Sequence, residues 1–274
     1  MSDILKVGVL GAGGRMGREI CKAVTNDPDL ELVAAVDPHF AGIDIGQVAG
    51  PNVAGLDIAG DIDALSRAGA EVVIDFTIAD ATKRSMEWCA LNGVHMVVGT
   101  TGLSDGDIDT ARQMFEQAGV NCFIAANFAV GAVLMNRFVE IAARYMDGAE
   151  VIEIHHDAKV DAPSGTALRL AASISQGSSM ALHNGKQHGQ DKTERTVIKE
   201  VRGGISEGGV RIHSLRLPGM VAHHEVVFGS VGQSLTIRHD AFDRTSFMPG
   251  IIMATKAVKD HPGVTIGLDE LLGI

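Results

Sequence analysis

Fifteen consecutive positions, Glu153-Ile154-His155-His156-Asp157-Ala158-Lys159-Val160-Asp161-Ala162-Pro163-Ser164-Gly165-Thr166-Ala167, bring together two imidazoles, an ammonium and the start of a helical pattern. Groups of these types bind anions and move protons. Histidine titrates near neutrality, whereas lysine is already protonated there and is the steadier proton donor. Val151, Ile152 and Ile154 give a β-branched run that suits a strand, so His155 and His156 should leave it with opposite side-chain directions. Pro163 is expected in the first turn of the helix that follows, with Asp161 or Ala162 near its cap. The amides of Ser164, Gly165 and Thr166 would then be unpaired donors at the positive end of a helix dipole, a cradle for a carboxylate or phosphate. Gly165 would let the ligand come close to the backbone. Taken singly, a strand-end histidine is an ordinary polar residue and Asp-Ala-Pro-Ser-Gly is turn chemistry. Adjacent histidines, a lysine four residues beyond His155 and an anion-binding helix start share no structural purpose, and together they read as a site.

The elements around this stretch fall into two kinds. Lys6-Val7-Gly8-Val9-Leu10 is a short apolar strand ending in Gly11-Ala12-Gly13-Gly14-Arg15-Met16-Gly17, and a helical pattern follows through Ile20, Ala23 and Val24. A second strand, Leu32 to Val36, closes on Asp37, twenty residues after Gly17, where a dinucleotide fold puts the acid that binds the adenosine ribose. Met16 occupies the sixth position of the generic G-x-G-x-x-G pattern, so the loop is better written G-x-x-G-x-x-G through Gly11, Gly14 and Gly17. Its place between strand and helix makes it a nucleotide loop rather than a plain turn. After an irregular Gly- and Asp-rich passage to about Gly60 come three further strands, Val72–Phe76, Val94–Val98 and Val120–Ile124. Helical patterns at about 79–92 and 104–117 separate them. Such alternation implies a parallel sheet with ligands at the carboxyl ends of its strands, here Asp75-Phe76-Thr77, Gly99-Thr100-Thr101-Gly102 and Ala125-Ala126-Asn127-Phe128.

From about Val130 a helix through Leu134, Phe138, Ile141 and Tyr145 leads to the motif strand, so the crossover to a second domain falls near 127–131. A helix from about Pro163 to Ile174, a polar loop from Gln176 to Glu194, and strands at Thr196–Val201, Val210–Leu217, Val221–Phe228 and Ser234–His239 are expected there. They suggest a mixed or antiparallel sheet with one face available to another subunit. The last segment, Phe247 through Val258 and on to Leu272, is helical in pattern. His223 and His224 form a second histidine pair. Alternation sends them to opposite faces and no carboxylate or thiol completes a ligand set at diagnostic spacing, so they read as sheet or interface histidines rather than metal ligands.

The chain has 274 residues, 46% hydrophobic and 21% charged, enough for two modest domains of an ordinary globule. A net charge of -11 leaves no basic face for nucleic acid or an acidic membrane, although a local basic cluster suffices for a small anion. Cys21, Cys89 and Cys122 lie in apolar surroundings without C-x-x-C spacing and read as buried reduced thiols of a cytoplasmic protein. No apolar run approaches the ~20 residues of a membrane helix.

The segment HHDAKVDAPSGTA resembles the signature of the dihydrodipicolinate reductase family, the 4-hydroxy-tetrahydrodipicolinate reductases of lysine and diaminopimelate synthesis, and GAGGRMG resembles that family's glycine loop. The resemblance covers nearly the whole chain. It implies an α/β fold: a Rossmann-like domain from residues 1–127 with 240–274, and an α+β substrate domain, 128–239, whose mixed sheet builds a homotetramer. It implies reduction of a cyclic imine dicarboxylate by NADH or NADPH, with loss of the 4-hydroxyl as water. Gly165 and Thr166, beside Ser164, would hold one substrate carboxylate, His156 would touch the substrate, and His155 and Lys159 would act as acids. Gly11 to Met16, Asp37, Gly99 to Thr101 and Ala125 to Phe128 would bind the cofactor. His224 and His239 fall where the family also has histidine, which suggests support near the substrate. Members that accept NADPH often carry Arg directly after the acidic residue, whereas Pro38 stands here, so NADH is the preferred expectation, with Arg15 and His39 keeping NADPH open. The rival readings are a dehydrogenase of similar plan acting on another small anion, and a noncatalytic NAD sensor.

Overall fold

The computed structural model describes residues 4–179 and 193–274 and contains two compact units, one running to residue 130 and resuming at 244–274, the other spanning 131–243. In the first unit, β1 (Leu5–Leu10), α1 (Arg15–Asn26), β2 (Leu30–Val36), α2 (Ile45–Ala49), α3 (Ala64–Arg67), β3 (Val72–Asp75), α4 (Ala79–Asn92), β4 (His95–Val98), α5 (Asp105–Ala118) and β5 (Cys122–Ile124) follow one another as alternating strands and helices. Strands β3 to β5 are buried at almost every position, as continuous apolar runs covered on both faces must be. Ser104 and Asp107 cap α5 reciprocally, satisfying amides that the first turn leaves without acceptors.

In the second unit α6 (Val130–Ala143), β6 (Gly148–His155), α7 (Gly165–Ser179), β7 (Gly204–Ile205), β8 (Arg211–Arg216), β9 (Ala222–Ser230) and β10 (Gln233–Ala241) form a five-stranded sheet in the order β10-β9-β6-β8-β7. β6 runs parallel to β8 and the other pairs are antiparallel, giving the expected mixed sheet. One face packs Val151, Ile212, Val226 and Phe228 against Met135, Val139, Leu170 and Ile174 of α6 and α7. Each such fully buried side chain contributes about 2 kcal/mol.

The chain then returns to the first unit with α8 (Met248–Ala257), β11 (Val264–Ile266) and α9 (Asp269–Leu272). β11 pairs in parallel with β5, completing a six-stranded sheet in the order β11-β5-β4-β3-β1-β2. A continuous helix to Leu272 is therefore corrected: His261-Pro262-Gly263 interrupts the helical pattern, and Thr265 is buried as part of a strand. The strand expected at Thr196–Val201 is also absent. Its β-branched residues lie in turns and irregular chain, with Val197 88% exposed, because no strand or apolar layer among the described residues receives them; the edge strand is β7 instead. Helix α7 runs past Ile174 into the passage expected to be loop, whose residues 180–192 lie outside those described.

Cys21, Cys89 and Cys122 are buried free thiols, and burial pushes Cys21 up to about 12. No helix among the described residues is long and apolar enough to cross a membrane.

Candidate active site

In the first unit, β1 hands the chain to a tight turn in which the Gly14 amide donates to the Gly11 carbonyl at 2.9 Å. Gly14 caps α1, leaving the amides of Arg15 and Met16 without helical acceptors. A Cβ on Gly17 would lie 2.0 Å from the Gly11 oxygen, so only glycine allows the helix to cross the strand end this closely. The Asp37 carboxylate accepts the amides of Gly13 at 3.1 Å and His39 at 3.0 Å, tying the glycine turn to the end of β2. Beside it opens a cavity of about 490 Å³ whose walls include Pro38, Ile62, Arg84, Trp88 and Leu91. Largely apolar walls with one guanidinium and one carboxylate, that of Glu87, suit a planar aromatic base.

The other expected cofactor residues follow the carboxyl ends of β4 and β5. Thr100, Ala125 and Phe128 are buried, Thr101 and Ala126 are exposed, and the Asn127 side chain accepts the Ala129 amide at 2.9 Å. The Phe76 and Phe128 rings lie 5.7 Å apart.

In the second unit, β6 alternates as expected: Val151, Glu153 and His155 are buried, while His156, one residue past the strand, is exposed. Across the sheet Glu153 sits opposite His224, and the His155 and His224 rings meet edge to face at 5.3 Å. The Glu153 carboxylate engages His155 Nδ1 and receives Arg216 Nη2 at 2.8 Å. Burial opposes the Glu153 charge, yet hydrogen bonds from Arg216, Ser214 and His155 hold the carboxyl below its usual range. Burial holds the His155 imidazole below the usual histidine range, outweighing the upward pull of Glu153. His224, buried and next to His155, is pushed down to about 4. Lys159 pairs with Asp161 at 2.7 Å and its charge reaches His155.

Ser164, not Pro163, caps α7: its hydroxyl accepts the Ala167 amide at 3.1 Å and bonds His224 Nε2 at 3.1 Å. Pro163 precedes the cap, so the expected first-turn proline and the cap at Asp161 or Ala162 are corrected. The serine hydroxyl competes better for a first-turn amide than a proline can, since it is an acceptor. The Gly165 and Thr166 amides remain at the start of a 15-residue helix with no carbonyl four residues back inside it. A Cβ on Gly165 would meet nothing within 4 Å, so no side chain or backbone crowds the helix start at that position.

The fold thus links His155, His224, Ser164 and the α7 start by direct contacts, with Lys159 acting on the same imidazole. Glu153 and Arg216 escaped the reading of the sequence. Glu153 carried a usable signal, since two residues before His155 on a strand means the same face. Arg216 carried none, because strand pairing alone brings it to His155. The carboxylate thought missing from the histidine set is likewise supplied by the neighbouring strand: Glu153, His155 and His224 bring ligand atoms within 4.8 Å of one another. Arg216 and Lys159 add positive charge there, which favours oriented imidazoles over a bound cation. His223 bonds Asp240 at 2.7 Å, a sheet histidine as expected.

Comparison with known proteins matches residues 5–128 to the family model for the dihydrodipicolinate reductase N-terminus and residues 131–272 to that for its C-terminus. The 4-hydroxy-tetrahydrodipicolinate reductase of Desulfitobacterium hafniense is 42% identical over 270 residues, covering 98% of both chains. That of Corynebacterium diphtheriae is 43% identical over 272 residues, covering 98% of this chain and 99% of the relative. Among solved structures, the dipicolinate-bound dihydrodipicolinate reductase of Paenisporosarcina sp. TG-14 has a TM-score of 0.83 at 33% identity, covering 98% of this chain and 99% of that one. An amine dehydrogenase from Mycobacterium smegmatis, at 12% identity and a TM-score of 0.62, shares the fold alone. On sequence and structure together, this chain belongs to the dihydrodipicolinate reductase family.

Proposed function

We propose that the chain reduces 4-hydroxy-tetrahydrodipicolinate to tetrahydrodipicolinate with loss of water, in lysine and diaminopimelate biosynthesis. The observation that carries this reading is the contact chain from His155 through His224 and Ser164 to the open amides of Gly165 and Thr166. A ring bearing two carboxylates needs both features: amide donors at a helix start for one anionic group, and cationic and imidazole groups for the reacting end. A relative with this fold was solved with dipicolinate, a ligand of that chemistry.

When bound, the reduced nicotinamide supplies a hydride to the ring carbon that has lost its hydroxyl. The remaining tasks fall to the chain. Gly165 and Thr166 hold a carboxylate, Ser164 holds His224 and the helix cap, and His156, being exposed, touches the substrate. Lys159 delivers the proton that follows the hydride. His155, kept mainly neutral by burial, relays or accepts protons, and Glu153 fixes its ring.

For the cofactor, the glycine turn with the start of α1, the Asp37 carboxylate and the cavity beside it suit a pyrophosphate, a ribose and an adenine in that order. NADH is the preferred nucleotide, because a 2′-phosphate would approach the Asp37 carboxylate with Pro38 in place of a cation; Arg15 and His39 keep NADPH usable. The second sheet supports a homotetramer: Leu215 and, half-buried, Ile152 and Ile154 lie on the face away from α6 and α7. Light scattering should then give four times 28.7 kDa.

The decisive assay follows loss of NADH and NADPH absorbance with freshly generated 4-hydroxy-tetrahydrodipicolinate. Rapid oxidation in wild type that disappears in His155→Ala is expected, with NADH used faster. Nucleotide binding without oxidation would reject the reaction.

A further inference from the structure

Asp75 ends β3 in the interior of the parallel sheet, paired with Leu10 of β1 on one side and Val98 of β4 on the other. Its carboxyl is completely buried, an unusual position for an acid with no basic partner among the described residues. One oxygen, Oδ1, collects donors from three separate segments: the Thr77 amide at 2.9 Å and hydroxyl at 2.6 Å, the Thr82 hydroxyl of α4 at 3.2 Å, and the Thr100 hydroxyl at 3.1 Å. The Thr77 amide also reaches the Thr100 hydroxyl at 2.9 Å, so the loops after β3 and β4 are joined both through Asp75 and directly. The second oxygen, Oδ2, has no hydrogen-bond partner among the described residues.

What these bonds fix is a ligand-facing surface. Between Asp75 and Thr77, Phe76 lays its ring where a Cβ on Gly99 would sit, 2.0 Å from the nearest ring atom, and its centroid lies 5.7 Å from that of Phe128. Thr77 itself lines the cavity beside Asp37. A side chain in this position spends its polar capacity on loop geometry and touches no solvent.

We propose that Asp75 is a positioning residue for cofactor binding: it latches the loops Phe76–Thr77 and Gly99–Thr101 together through Thr100, setting the surface on which the nicotinamide half of the dinucleotide rests. The proposal rests on the cofactor reading given above. Burial pushes the Asp75 carboxyl up against the pull of its Thr77, Thr100 and Thr82 donors, and each of those donors ends on Oδ1 as acceptor. The latch accordingly needs an acceptor of the right shape rather than a charge. Thr100 has its hydroxyl turned to the latch, so any contact it makes with the nucleotide comes from its backbone.

The test uses Thr100→Val, which removes the hydroxyl at nearly constant shape, Thr100→Ser, which restores it, and Asp75→Asn, which keeps an acceptor without charge. Trp88, the single tryptophan, lines the cavity, so energy transfer from it to reduced nucleotide reads the Kd directly. Thr100→Val should raise Kd and KM for the nucleotide about tenfold, while KM for the dicarboxylate moves less than about twofold. Thr100→Ser and Asp75→Asn should stay within about threefold of wild type. A folded Thr100→Val protein that binds nucleotide as wild type does, or whose two KM values rise together, overturns the latch. Loss of binding in Asp75→Asn, with its thermal midpoint retained, also overturns it, because charge would then be the requirement. If wild type binds neither nucleotide, the cofactor reading falls and this proposal with it.

Discussion

Replacing Glu153 by glutamine keeps the shape of a buried side chain and removes its charge, which makes it a sensitive probe of the histidine cluster. Glu153 is completely buried, and Arg216, its partner at 2.8 Å, has a side chain only 19% exposed. In Glu153→Gln that guanidinium keeps carbonyl partners at Asp161 (2.8 Å) and Leu215 (2.7 Å) but has lost its counter-charge. Breaking one side of a buried ion pair costs about 3–5 kcal/mol, and the residual exposure of Arg216 screens part of this, so a loss of about 3 kcal/mol is expected. The same change releases His155. Glu153 pulls its imidazole upward, and without that pull burial takes the ring further below its usual range. Urea unfolding of wild type, Glu153→Gln, Arg216→Gln and the double variant measures the pair, while proton NMR follows the His155 ring through pH. The double variant should be less destabilised than the sum of the singles. A Glu153→Gln loss below about 1 kcal/mol, together with an unmoved His155 titration, would refute the account of Glu153 as the charged anchor of the site.

Four further outcomes are expected. Lys159→Ala should cut turnover by about 100-fold or more while nucleotide affinity changes little; unchanged turnover removes Lys159 from the proton step. His224, at 6.5 when unfolded and about 4 when folded, is depressed, so the unfolded chain holds more protons between these values. Stability should be intact above pH 6.5 and fall as pH drops through that window, by about 3 kcal/mol near pH 4, and denaturant curves of His224→Asn should lack this slope. Gly17→Ala, whose new methyl would meet the Gly11 carbonyl, should lose about 1–3 kcal/mol of stability and bind nucleotide poorly; a wild-type thermal midpoint would show that α1 can shift. Pro38→Arg should move the kinetic preference towards NADPH, and an unaltered ratio would mean that Asp37 does not border the 2′ position.

Periodicity sufficed where local pattern and burial agree. The apolar runs of β1, β3, β4 and β5, the helix at 79–92 and the glycine turn before α1 were all readable, because a strand buried on both faces or an amphipathic helix has one way to hide its apolar atoms. The opposite fates of His155 and His156 followed from the two-residue period of a strand. Legibility failed where partners come from far along the chain. Thr196–Val201 has the composition of a strand and no ladder to join among the described residues, while Val264–Ile266, beginning two residues after a proline, becomes one because β5 has a free edge.

The candidate site divides along the same line. Residue types and spacing marked His155, Lys159 and the glycine after Ser164 as one candidate anion-binding stretch, since those features lie within a few turns of chain. Only the tertiary structure decided that His224 caps the cluster through Ser164, that Glu153 and Arg216 form its buried charge pair, and that Asp75 ties two loops together. Hydrogen bonds between elements 60 or more residues apart carry no local signature, because they are set by sheet register and by the need of each buried polar group to find a partner.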